Sequence, residues 1–106
     1  MIQMNSELFQ KHAMEGQQLT LVEFWAPWCV YCRRIIPALN KIAEQYRDIL
    51  TVGKVNIDDE PQLAQREQIE VIPTLIIYKD GQALGSIVAP ESKARIDDFI
   101  FENLGE

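Results

Sequence analysis

The residues with the most chemistry to offer are Cys29 and Cys32, the only two cysteines in a chain of 106 residues. They lie two residues apart in Trp28-Cys29-Val30-Tyr31-Cys32. The preceding stretch, Leu19 to Ala26, is rich in strand formers and apolar on both alternating sides except at Glu23, the pattern of a central strand covered on both faces. From about Cys29 to Tyr46, apolar residues return at helical spacing through Ile35, Leu39, Ile42 and Tyr46. Cys29 is therefore expected in the first positions of a helix. Unpaired N–H groups and the peptide dipoles there favour an anion, so its thiolate is the better nucleophile. Cys32 falls one turn on, at a spacing that permits the Cα separation of about 4.4 to 6.8 Å that a disulfide needs. The chemistry this spacing allows is exchange: Cys29 attacks a substrate disulfide, and Cys32 then resolves the mixed disulfide. It needs no metal or organic cofactor. Two plainer readings use the same residues, half of a zinc site or a pair of buried structural thiols. Zinc asks for about four ligands, whereas the chain has one histidine, His12, expected on the solvated face of the first helix, and no second cysteine pair.

The elements that must hold this pair follow from periodicity. Leu8, Phe9, Ala13 and Met14 predict a short amphipathic helix from Ser6 to about Glu15, capped by Ser6. Pro37 lies within the helix after the cysteines and is expected to bend it. Thr51 to Ile57 reads as a second strand, and Asp58-Asp59-Glu60-Pro61 as the start of a helix to about Gln68. Thr74 to Tyr78 is a third strand, Asp80-Gly81 a hairpin signal, and Gln82 to Val88 an antiparallel edge strand. A last helix runs from about Glu91 to Leu104 and buries Ile96, Phe99, Ile100 and Leu104. Strand, helix, strand, helix, strand and hairpin make an α/β fold, a central mixed β-sheet with helices on both faces, as a single domain over 1–106. The sequence leaves open whether Met1 to Met4 adds an edge strand.

Composition excludes several function classes. Ten basic against 16 acidic residues leave a net charge of −6, against nucleic acid, whose phosphates need clustered Lys and Arg. The longest uncharged stretches, Phe24 to Cys32 and Gln82 to Pro90, are nine residues each, and a membrane-spanning helix needs about 18 apolar ones. The first residues lack the charged-then-apolar order of a secretory signal, so a cytoplasmic location is expected, and a close cysteine pair in a reducing cytosol points to catalysis or metal binding rather than to a structural bridge.

Leu-Val-Glu-Phe-Trp-Ala-Pro-Trp-Cys-Val-Tyr-Cys at 21–32, Pro37, Lys-Val-Asn-Ile-Asp at 54–58 and Ile-Pro-Thr-Leu at 72–75 before the Asp-Gly turn together resemble the thioredoxin family, in order and spacing, over about residues 5 to 104. The resemblance implies a thioredoxin fold and a protein-disulfide reductase with Cys29 as nucleophile and Cys32 as buried resolving thiol. Glu23 falls where the family usually has a buried Asp beneath the cysteines. Desolvation there would raise its pKa and let it take the proton of Cys32, directly or through water. Lys54 matches the family's Lys near that carboxyl, and a structural ion pair with Glu23 is the other reading. The resemblance also implies a cis bond before Pro73, with the backbone of Ile72 pairing an extended substrate segment as an added strand. Trp28 would form part of the rim, and Trp25 would pack beneath the site.

Two positions depart from the family pattern. Val30-Tyr31 replaces the usual Gly-Pro, which leaves the turn less preorganised. Ala89-Pro90 stands where the family usually has Gly beside the substrate groove, so the Ala89 Cβ narrows it and Pro90 stiffens it. Implied partners are disulfide-containing protein substrates and an electron donor of the thioredoxin-reductase type, with no cofactor, and the protein is expected to be a monomer. Three alternatives remain at this stage. Tyr before the second cysteine resembles glutaredoxins, so glutaredoxin- or isomerase-like exchange is one. A second is a dimer holding an iron–sulfur cluster or other metal on four thiolates, and a third is a docking subunit in which the fold alone matters.

Overall fold

The computed structural model describes residues 1–104; residues 105 and 106 of the expected 1–106 domain lie outside the described residues. Five strands, β1 (Ile2–Gln3), β2 (Leu19–Trp25), β3 (Leu50–Asn56), β4 (Thr74–Lys79) and β5 (Gln82–Val88), form one sheet in the order β1-β3-β2-β4-β5. β3 pairs in parallel with β1 and β2, whereas β4 is antiparallel to both β2 and β5. The sheet is thus mixed, as the element order predicts. The first residues do contribute a short edge strand: the Met4 N–H donates to the Lys54 carbonyl at 2.8 Å, and the Met4 side chain lies over Gly53, where any Cβ would collide with it.

The helices are α1 (Ser6–Phe9), α2 (Val30–Arg34), α3 (Ile36–Gln45), α4 (Pro61–Arg66) and α5 (Lys93–Leu104). Because side chains alternate along a strand, β2 sends Leu21 to one face and Val22 and Phe24 to the other. The first face is covered by Leu39 and Ile42 of α3 and by Ile96, Phe99 and Ile100 of α5, against Val52, Leu75 and Ile77. The second packs Phe9 and Leu63 against Val22, Phe24, Val55, Ile76 and Tyr78. Phe9 meets the Phe24 and Tyr78 rings edge-on at centroid distances of 6.2 and 5.2 Å, a geometry worth about 0.5–1.5 kcal/mol per pair beyond burial alone.

Two helices depart from their sequence expectation. The first is capped by Asn5 rather than Ser6: Asn5 Oδ1 accepts the Leu8 N–H at 2.9 Å, and the Ser6 hydroxyl donates instead to the Glu60 carboxylate. Beyond Phe9 it widens into a π turn over Gln10–Met14, closed by the Glu15 N–H on the Gln10 carbonyl. The second is the helix after the cysteines, which is broken at Ile35 rather than bent at Pro37. Pro37 occupies an opening position of α3, where a missing N–H removes no bond, so it starts a helix instead of distorting one. At the hairpin, Asp80 (φ 52°) and Gly81 (φ 79°) take the paired left-handed conformation that matches strand twist. No helix among the described residues is long and apolar enough to cross a membrane.

Candidate active site

The strand registers bring the sequence-derived site residues to one end of the sheet. Phe24 pairs with Thr74, Thr74 with Val88, and Trp25 with Asn56. The segments leaving or entering those pairs, with Trp28 and Cys29, Asp58, Ile72 and Pro73, and Ala89 and Pro90, therefore emerge side by side.

A tight turn, closed by the Cys29 N–H on the Ala26 carbonyl at 3.0 Å, delivers Cys29 to the mouth of α2. Cys29 is extended (φ −86°, ψ 105°) and caps the helix rather than lying within its first turn, and its Sγ accepts the Cys32 N–H at 3.2 Å. That N–H is a donor to sulfur and stabilises negative charge on it. Cys29 and Cys32 are joined by a disulfide with a Cα separation of 5.3 Å. Their exposures differ: Cys29 is partly open to solvent and Cys32 is fully buried. An incoming disulfide can reach only the outer sulfur.

On the sheet face covered by α2 and α3, Glu23 lies two residues from Leu21 along β2 and pairs in register with Lys54 on one side and Leu75 on the other. Glu23 is 1% exposed, and among the described residues neither carboxyl oxygen has a hydrogen-bond partner. Burial pushes its pKa from 4.5 up to about 8, and the Lys54 ammonium, the smaller influence, pulls it back. Lys54 makes no ion pair with Glu23 among the described residues; its Nζ stands 4.4 Å from the centroid of the Trp25 ring. Trp25 is half-buried beneath the turn.

The rim is apolar and open. Trp28 is 65% exposed, with Val30, Val71 and Val88 also exposed. The Trp28 indole N–H donates to Asp58 Oδ2 at 2.9 Å. The sequence reads Asp58 to Pro61 as the start of a helix, and Glu60 does hold the cap position of α4, without a side-chain bond, whereas Asp58 orients the tryptophan. The Ile72–Pro73 bond is cis, as the resemblance implies, and the Ile72 N–H and carbonyl have no backbone partner among the described residues. The Ala89 N–H donates to the Pro73 carbonyl at 2.8 Å, and Ala89 holds φ at +46°, in the region that favours glycine. The Tyr31 hydroxyl donates to the Pro90 carbonyl at 2.7 Å, a contact with no local signal because 59 residues separate the two. Among the described residues, no group of three or more His, Cys, Asp or Glu is placed to hold a metal ion.

A strand-to-helix turn carrying a redox-active pair, one sulfur open and one buried, beside a cis-proline loop has counterparts among known proteins. The thioredoxin family model matches residues 1–102. The chain belongs to the thioredoxin family. It is 40% identical to thioredoxin 1 of Synechococcus elongatus, over 91% of this chain and 90% of that protein. It is 36% identical to thioredoxin 1 of a Nostoc species, over 96% and 95% of the two chains, and 34% identical to a thioredoxin of Buchnera aphidicola, over 93% and 91%. With its CxxC pair, this thioredoxin-family chain is a thiol-disulfide oxidoreductase, an enzyme of protein disulfides, and family membership implies disulfide-containing protein substrates and reductase partners in general. These relatives do not favour the glutaredoxin-like, isomerase-like or metal-binding readings.

Proposed function

We propose that this protein is a monomeric, single-domain, cytoplasmic reductant of protein disulfides, recharged by a reductase of the thioredoxin-reductase type, and that it binds no nucleic acid. The observation that carries the reading is the unequal exposure of the two bonded sulfurs above a carboxyl without a partner. In the dithiol form, the Cys29 thiolate, supported by the Cys32 N–H, attacks one sulfur of the substrate disulfide. That bond breaks, and the departing substrate thiolate takes a proton from water. The ionised form of Glu23, the minor one at neutral pH, then takes the proton of Cys32, which attacks Cys29 Sγ; the mixed disulfide breaks and the second substrate thiolate leaves. The enzyme loses two electrons and the substrate gains two.

Glu23 suits the transfer because a carboxyl pushed up to about 8 is closer in proton affinity to a thiol than an ordinary carboxyl is, so the transfer is less uphill. Lys54 keeps the carboxyl from climbing higher. Substrate docks as an added strand on the free N–H and carbonyl of Ile72, with Pro73 and Ala89 forming the floor and side of the groove and Trp28 its rim.

The test is reduction of insulin with dithiothreitol as electron source. Cys29→Ser is expected to abolish turnover, and Cys32→Ser to accumulate a substrate linked covalently to Cys29, visible by mass spectrometry. Full activity in Cys29→Ser removes the reading.

A further inference from the structure

Tyr31, directly before the resolving cysteine, turns inward while its neighbour Val30 stays exposed. Its ring packs against the core beneath α3 and α5, and its hydroxyl reaches the Pro90 carbonyl at 2.7 Å. Pro90 is buried, and a buried carbonyl needs a partner. The next residue back, Ala89, donates to the Pro73 carbonyl at 2.8 Å. Two hydrogen bonds therefore run in series from the redox turn, through residues 89 and 90, to the cis-proline loop. The turn has need of such support. α2 has only five residues, too few to be stable alone, and it ends in a break at Ile35. No proline stands between the cysteines to preset the backbone. The cap of α2 is Cys29 Sγ itself, an atom whose charge and bonding change with each catalytic cycle. The phenol–carbonyl bond, by contrast, uses no atom that reacts in the exchange, and it is made here with the disulfide closed.

The geometry points to Tyr31 as a positioning residue: through the Pro90 carbonyl its hydroxyl holds the Cys29–Cys32 turn closed and couples it to the segment flanking the substrate. This rests on the reductase reading above. With the anchor removed, the dithiol turn explores more conformations, so closing the disulfide is less favourable and Cys32 meets the mixed disulfide less often. The bond that forms and the bond that breaks are unchanged; only their equilibrium and rate move.

Tyr31→Phe in the full-length protein keeps the ring and deletes the donor. One neutral hydrogen bond corresponds to roughly a fivefold change in an equilibrium constant. Titration in glutathione redox buffers should show disulfide formation about fivefold weaker, a reduction potential about 20 mV higher for a two-electron couple. The kcat for insulin reduction should fall two- to fivefold, with KM unchanged because the Ile72 edge is intact. The oxidised form should lose more thermal stability than the reduced form. A wild-type potential with equal loss of stability in both redox states would mean a purely structural contact and overturns the inference. If Tyr31→Phe does not fold, Tyr31→Met, similar in bulk and also without a donor, should show the same shift. Cys29→Ser separates the two levels. If it still reduces insulin, the reductase reading fails; if it is inactive while Tyr31→Phe keeps the wild-type potential, only the anchor fails.

Discussion

The two faces of the sheet each carry an inward-reaching carboxyl, and they treat it in opposite ways. On the face beneath α1 and α4, Glu67 is half-buried and satisfied: the Tyr78 hydroxyl donates to it at 2.7 Å and Arg66 Nε lies 3.2 Å away. On the face beneath α2 and α3, Glu23 is buried without any partner, and its nearest cation stands over an indole instead. A buried polar group without a partner costs free energy that a satisfied one does not. Among the described residues the fold accepts that penalty on the side of the cysteines, where the proposed mechanism calls for a carboxyl that holds and releases a proton.

The largest expected effect tests the Glu23 half of this contrast. Below pH 4.5 the folded and unfolded chains both hold the Glu23 proton. Between 4.5 and about 8 the unfolded chain releases it while the native chain keeps it, so stability falls as pH rises and levels off above about 8. At 1.36 kcal/mol per pH unit, that gap amounts to on the order of 4 to 5 kcal/mol. Urea unfolding of the oxidised protein from pH 4 to 9 should show Glu23→Gln gaining on wild type by this amount; a difference that stays flat across the range breaks the comparison. Tyr78→Phe tests the other face. It leaves Glu67 with Arg66 and solvent, and should cost about 1–2 kcal/mol with little pH dependence over the same range. A loss that grew with pH in the manner of Glu23 would erase the distinction.

Lys54→Met should have a smaller effect on stability, about 0.5–1 kcal/mol from the lost cation–π contact with Trp25. Because the ammonium lowers the Glu23 pKa, its removal should move the carboxyl titration, followed by carbon NMR, further up. A downward move would show that the cation does not act on Glu23. The smallest effect lies on the rim that both faces share. Ala89→Gly relieves a left-handed backbone and should stabilise the fold by about 0.5 kcal/mol, the strain relief being partly offset by the freedom of glycine in the unfolded chain. Thermal melting that shows a loss would mean the Ala89 methyl packs usefully.

The parts of this molecule legible in the sequence are those governed by local rules. Alternation along Leu19 to Ala26, the apolar run at Thr74 and the Asp80-Gly81 turn predict strands and a hairpin that the structure bears out within a residue or so. Glu23 stood out because one acid interrupts an otherwise apolar strand. The break at Ile35 was hidden because a proline is compatible with either a bend or a fresh start, and tertiary packing chooses. Asp58 on Trp28 and Tyr31 on Pro90 link positions 30 and 59 residues apart, beyond any periodicity. The cis bond came only through family resemblance, since nothing in Ile72-Pro73 itself distinguishes one isomer from the other.

The seating of Met4 on Gly53 carries a consequence for what either position tolerates. A thioether resting on bare backbone is a paired fit. A methyl group at 53 would push the flexible end of that thioether aside, while a smaller residue at 4 would leave a hollow over the glycine. The two sites, almost fifty residues apart, share one small space, so a change of volume at either is felt at the other.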